Sequence, residues 1–288
     1  VTYLIAILVG LLAGTHTATW GMYKDAPHEG FRHYPRSIIV STVAAPVIAW
    51  FTGIDLFRAS GLVLLFGVTY CVERGLTEFY KTFVRFEDQS KYTIPMQFHV
   101  FGHVIPAGGK RWAIAAAHVA VVFLAGWGIH SVHQLSLPWP TWVTFALLGS
   151  IGGWLSAFGG AFKDAPIEGF ETLKFFRSPA LAASYSLVLS LWTHSYLLAA
   201  LGGLGYTVAT IETYKTFFFP NKPRGKFANK PILFPEHLQT RRRFVPIYAA
   251  IWLFVIVSAA IAASQLQLRR PSDPGSAQTL PVSAQAAP

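Results

Sequence analysis

The chain has 288 residues, 53% of them hydrophobic and 12% charged, a mean hydropathy of +0.43 and a formal net charge of +10. Soluble domains carry about 25% charged residues, so this composition excludes an ordinary soluble enzyme. The single cysteine, Cys71, excludes an intrachain disulfide framework and a cysteine-based metal cage. The basic residues cluster between apolar blocks, where they set orientation and meet anionic headgroups; this pattern does not point to nucleic acid.

Apolar blocks of roughly 20 residues cross a bilayer as helices, because lipid offers no partner for an open backbone. Such blocks run from Tyr3 to Tyr23, Ser37 to Thr52, Ala59 to Thr77, Arg111 to Val132, Thr141 to Phe162, Ser178 to Thr193, Ser195 to Thr213 and Phe244 to Leu266. The first lacks a basic leader and a small-residue cleavage site, which marks it as a span and not a signal peptide. The sixth and seventh are separated by almost nothing, which leaves a tight helical hairpin or two short re-entrant segments; the hairpin is expected, with each helix extended into its charged flank to restore a spanning length. The predicted fold is all-α, with about eight transmembrane helices and a tail from 269 to 288 that is expected to be disordered.

The chain also repeats itself. Lys-Asp-Ala-Pro-x-Glu-Gly-Phe occurs at Lys24–Phe31 and again at Lys163–Phe170, each followed by an Arg-Ser pair, Arg36-Ser37 and Arg177-Ser178. Glu-x-Tyr-Lys-Thr-Phe occurs at Glu78–Phe83 and Glu212–Phe217, in the same order along each half. This predicts two tandem four-helix repeats in one orientation, spanning 1–139 and 140–268, related by an axis along the membrane normal. Basic loops at 78–111 and 212–243 assign that face to the cytoplasm of a bacterial-type inner membrane. The two octapeptides then lie on the same face. Arg269-Arg270, beyond the last span, runs against this orientation.

In the octapeptides Asp25 and Asp164 are expected as N-caps, with Pro in the first turn and Glu29 or Glu168 near the positive end of the helix dipole. The functional expectation is that these four carboxylates act as catalytic bases or bind Mg²⁺, since carboxylates four residues apart share a helix face. Lys24, Arg36, Lys163 and Arg177 would hold phosphate. Glu78, Tyr80 and Lys81, with Glu212, Tyr214 and Lys215, are expected to bind substrate as well, the glutamates orienting the lysines three residues on and the tyrosines lying at the level of the aromatic belt. Glu73 and Arg74 occur in the first copy only, where the second has Thr207 and Val208. His99 and His103, with His237, have metal-ligand spacing but no complete ligand set. His16 lies within a span, where hydrogen-bonded packing beside Thr15, Thr17 and Thr19 explains it.

The sequence therefore favours an integral membrane protein that binds a phosphate-bearing lipid or isoprenoid at the cytoplasmic interface, as a Mg²⁺-dependent lipid-modifying transferase. A transporter or lipid flippase is the alternative, and a structural subunit of a membrane complex the second. Membrane lipids are the expected partners, and nucleic acid is not.

Overall fold

The computed structural model describes residues 1–31, 34–219 and 225–268. The tail beyond 268 lies outside them. The long helices are α1 (Thr2–Glu29), α2 (Tyr34–Thr52), α3 (Ala59–Phe79), α4 (Gly109–Ser131), α5 (Thr141–Glu168), α6 (Thr172–Leu189) and α7 (Tyr196–Thr213). A single helical turn, α8 (His237–Thr240), precedes the last of them, α9 (Phe244–Leu268). Six helical segments are long and apolar enough to cross a membrane, which fits an integral membrane location. The only other ladder among the described residues is a two-residue hairpin, β1 (His99–Val100) with β2 (His103–Val104).

α1 pairs with α2, and α5 with α6. Glycines at matching places allow both approaches. A Cβ on Gly10 would lie 2.4 Å from the Ser41 carbonyl, and one on Gly149 would lie 2.2 Å from the Ser186 Cβ. Small residues let membrane helices approach until their backbones touch, which replaces the hydrophobic driving force that lipid cannot supply. α3 and α7 cross at the centre of the molecule, where a Cβ on Gly205 would collide with the Gly67 carbonyl at 2.0 Å. Tyr206 locks that crossing by donating to the Val63 carbonyl at 2.7 Å.

The predicted hairpin is present: α6 ends at Leu189, α7 begins at Tyr196, and the Ser195 side chain caps α7 by accepting from the Leu198 amide. α6 extends into its charged flank as expected, starting at Thr172. Both Glu-x-Tyr-Lys-Thr-Phe segments run α3 and α7 on into a π turn, Tyr80–Val84 and Tyr214–Phe218. α9 packs across the halves on α1 and α3, whereas α4 touches α7 only lightly and stays largely exposed.

One expectation fails. The octapeptides do not start helices; they end them, as the last turns of α1 and α5, with Pro27 and Pro166 inside the helix. Gly30 and Gly169 follow with φ of 74° and 86°, a region that glycine enters without steric cost. A proline there removes one N–H and frees the carbonyl four residues back. In α1 that carbonyl belongs to Tyr23, and the Arg241 guanidinium donates to it at 3.2 Å. The proline thus survives because a distant arginine replaces the bond it removes.

Candidate functional site

Because the octapeptides close their helices, their carboxylates stand at the negative end of each dipole and need cations. Each pair has one. Lys226 reaches from the loop of the second half to Asp25 at 3.0 Å and Glu29 at 2.8 Å. Lys174, at the start of α6, meets Asp164 at 3.7 Å and Glu168 at 3.3 Å. The four-residue spacing does put both carboxylates on one face, but what they share is a lysine ammonium. Among the described residues no group of three or more His, Cys, Asp or Glu is arranged to hold a metal ion.

The duplicated signatures meet across the two halves. Lys24 lies 4.0 Å from Glu212, which also holds Lys215 at 3.7 Å. Lys163, from the second octapeptide, lies within Coulombic reach of Glu78 and of His99. Glu78 pairs with Lys81 at 3.0 Å, as the i,i+3 spacing predicts, and with Arg74. Arg177 lies within Coulombic reach of Lys215. Tyr80 and Tyr214 remain 42% and 45% exposed, turned outward as belt residues would be.

Between α1, α2 and α3 this network encloses a cavity of about 50 Å³. Arg36, Arg74, Lys81, Arg85 and Lys226 line it, together with Asp25 and Glu29, and Thr17, Trp20, Gly21 and Ser37 are part of its wall. Most of these cations already have partners, Arg85 with Glu87 and Lys226 with the octapeptide carboxylates. Arg36 makes no ion pair among the described residues; its Nε is buried without a hydrogen-bond partner, and Glu73 lies within Coulombic reach. A Cβ on Gly21 would meet nothing within 4 Å, so the absent side chain is what leaves this part of the cavity open.

Beneath the cavity, α1 and α3 carry a second polar group. Trp20 donates to the Tyr70 hydroxyl at 2.8 Å, and His16 Nδ1 stands 3.2 Å from the same oxygen. His16 also stacks on Tyr248 of α9. Its partner is therefore Tyr70, not the neighbouring threonines. Glu73 is fully buried, takes a bond from Thr77 at 2.7 Å and has its other oxygen unpartnered.

Two loops cap this end of the bundle. Thr93 donates to the Lys226 carbonyl at 2.7 Å, and Leu233 and Phe234 donate to the Pro27 carbonyl at 2.9 and 3.0 Å. His28 Nδ1 donates to the Pro231 carbonyl at 2.8 Å. Burial pulls the Lys226 ammonium toward neutrality, but Asp25 and Glu29 outweigh it and hold its pKa above the usual lysine value. His99 is buried and His103 exposed in the hairpin, while His237 stacks on Phe234 and packs at a tilt against Phe31, so the three do not converge.

Sequence reasoning missed Lys226, Arg85, Trp20 and Gly21. Nothing local to Lys226 announces a pairing with carboxylates some 200 residues earlier. Lys174, only six residues after Glu168, was within reach of a spacing argument. No family model, no curated protein and no solved structure matches this chain.

Proposed function

We propose that the chain is an eight-span integral protein of a bacterial-type inner membrane, built as two tandem four-helix repeats, that binds a phosphate-bearing lipid or isoprenoid at its cytoplasmic face. α6 and α7 are 18 residues each, the charged flank of α6 included; the π turn carries α7 past the roughly 20 residues a crossing requires, and α6 comes close to it. The shared glycine registers of α1/α2 and α5/α6 support the duplication.

The observation that carries the ligand class is the cavity lined by five cationic side chains, one of which, Arg36, has a buried donor with no partner. A guanidinium presents its donors in a planar fork that fits phosphate oxygens two at a time. In this reading Asp25 and Glu29 position Lys226 and do not bind metal, and phosphate bridges the cations. The basic loops above supply the attraction that brings an anionic headgroup to the interface.

The test is thermal stabilisation of the detergent-extracted full chain by phosphatidic acid, a polyprenyl phosphate, inorganic phosphate and the unphosphorylated polyprenol. A ligand at a hundredfold excess over its Kd contributes about 2.7 kcal/mol. The phosphate-bearing lipids should raise the melting temperature in the parent and not in Arg36→Gln. Stabilisation by inorganic phosphate alone would identify a free anion as the ligand and overturn the lipid reading. An equal shift with the polyprenol, or an undiminished shift in Arg36→Gln, would overturn the site itself.

A second reading, a proton-coupled transporter, is favoured by one observation: Glu73 is buried in α3 with an unpartnered oxygen, and intramembrane ionisable groups mark proton and ion routes. Glu73→Gln separates the two, since it should leave lipid stabilisation intact and abolish any proton-driven uptake into proteoliposomes.

A further inference from the structure

A second concavity lies on the other side of α1 and α3, between α9 and the end of α7. It has a volume of about 410 Å³ and is lined by Thr213, Phe217, Val245, Ala249, Leu253 and Ile256, with Tyr248 and Trp252 behind them. The polar atoms on its floor are spent on one another: Thr213 Oγ1 shares a 2.6 Å bond with the Tyr248 hydroxyl and accepts from Trp252 Nε1 at 3.1 Å. No polar group is left to recognise a polar ligand, so the trough suits hydrocarbon.

Its length and its mouth define the occupant further. Val245 to Ile256 covers roughly 16 Å at 1.5 Å per residue, about one leaflet of a hydrocarbon core near 30 Å thick. The arginine turn Arg241–Arg243 runs directly into α9. Arg241 is committed to the Tyr23 carbonyl, whereas Arg242 and Arg243 are exposed and pair with no carboxylate among the described residues. Arg242 heads the same stripe as Val245, Ala249, Leu253 and Ile256, whose steps of three and four residues keep one helix face. A cation thus stands where the trough reaches the interface, at headgroup level.

We infer that this groove is a binding site for one anionic phospholipid of the basic-face leaflet, an acyl chain lying along α9 and the headgroup phosphate against Arg242. The inference rests on the membrane placement proposed above and not on the cation-lined cavity. The latter lies on the opposite side of α1 and shares no lining residue with the groove.

The experiment is native mass spectrometry of the detergent-extracted full chain incubated with equal amounts of phosphatidylglycerol and phosphatidylcholine. One phosphatidylglycerol should be retained per chain, preferred about fivefold for the one arginine at the mouth. Ala249→Trp, which fills the trough, should abolish retention of both lipids. Ala250→Trp, on the exposed neighbouring face, should leave retention unchanged and so controls for a bulky residue on α9. Arg242→Gln should remove the headgroup preference while keeping the chain bound, and it tests the site even if Ala249→Trp does not fold. Equal retention of the two lipids by the parent, or undiminished retention in a folded Ala249→Trp, would overturn the inference. Arg36→Gln should leave the groove lipid in place. Its loss there would make the groove part of the cavity and end its claim to be separate, whereas loss of stabilisation by phosphate lipids in that variant, with the groove lipid retained, bears out the cavity reading alone.

Discussion

The two halves share their octapeptides, their π turns and their helix-packing glycines, yet their interiors differ. Where the first half places His16, Trp20, Tyr70, Glu73 and Arg74, the matching places of the second hold Leu155, Gly159, Leu204, Thr207 and Val208. The first half is also covered by its counterpart: α9 lies over α1 and α3 and buries them, while α4 leaves α5 mostly exposed. Polar groups within a membrane are costly unless packed against partners, so the covered half is the one able to carry them. On the proposed duplication, a copied unit supplies the scaffold and divergence places polar chemistry on one side of it.

The carboxylate pairs give the largest test of that asymmetry. Lys226 is mostly buried, with 14% of its side chain exposed, and bonds both Asp25 and Glu29 within 3.0 Å. Removing one partner of a buried ion pair costs about 3–5 kcal/mol, because the other charge is left stranded. Lys226→Met, which removes the charge and keeps an unbranched side chain, should therefore lower the unfolding midpoint by many degrees. Lys174 is more exposed and its distances are longer; Lys174→Met should cost about 0–1 kcal/mol. Denaturation of both variants in one detergent decides it, and equal losses would break the comparison.

The helix-ending prolines come next. With Arg241→Gln, the Tyr23 carbonyl loses its donor, at about 1–3 kcal/mol for a buried unsatisfied group. Pro27→Ala restores an N–H four residues on and should rescue much of that loss, giving a coupling energy of roughly 1 kcal/mol in a double-mutant cycle. Additive effects would mean that the arginine and the proline are unrelated.

Gly21 and Gly160 stand at matching places in α1 and α5, and a Cβ would meet nothing within 4 Å at either. Gly21→Leu and Gly160→Leu should both be nearly neutral for stability. Only Gly21→Leu intrudes on the cavity, and only it should remove stabilisation by phosphate-bearing lipids. Loss in both would show that the halves contribute equally.

The helices were legible because hydropathy and length are local. The i,i+3 pairs Glu78–Lys81 and Glu212–Lys215 were legible for the same reason. The octapeptide misled because Asp-x-Pro reads as a helix start by capping preferences drawn from chains in water, and the compensating donor, Arg241, lies more than 200 residues away. The shared carboxylate face of Asp25 and Glu29 could be read from spacing, but its occupant, Lys226, comes from the other half of the chain. Long-range pairing of this kind has no period for a sequence to display.

The smallest effect expected concerns the loops above the cavity. Burial alone would raise the Glu87 carboxyl, but Lys91 and the Tyr92 hydroxyl, each donating at 2.8 Å, and Arg85 outweigh it and hold it below the usual glutamate value of 4.5. Burial, and after it the charge of Glu29, pushes the Tyr92 phenol upward, so this donor keeps its proton across the ordinary range. A carboxylate with a depressed pKa stabilises the folded state fully above its unfolded value, and that contribution fades as pH falls through the folded one. Lys226, raised, behaves in the opposite sense: its contribution is complete below 10.5 and fades only above its folded value. Between about pH 5 and pH 10 neither group changes charge, and the cap should hold steady. Hydrogen exchange of residues 85–98, corrected for intrinsic rates, should therefore quicken below about pH 4, and Glu87→Gln should weaken that dependence. Asp88 and Glu29 carry the remaining share, since both are also held below their usual values, Asp88 by its bonds from Ser90 and Glu29, against the opposing pull of burial, by Lys226. The described part of the second loop, 225–236, has a single carboxylate, Glu236, which forms no ion pair among the described residues. In this loop the acid-sensitive contact is that of Lys226 with Glu29, so Glu87→Gln should leave its exchange unchanged, and an equal effect of Glu87→Gln on both loops would erase this last distinction between the halves.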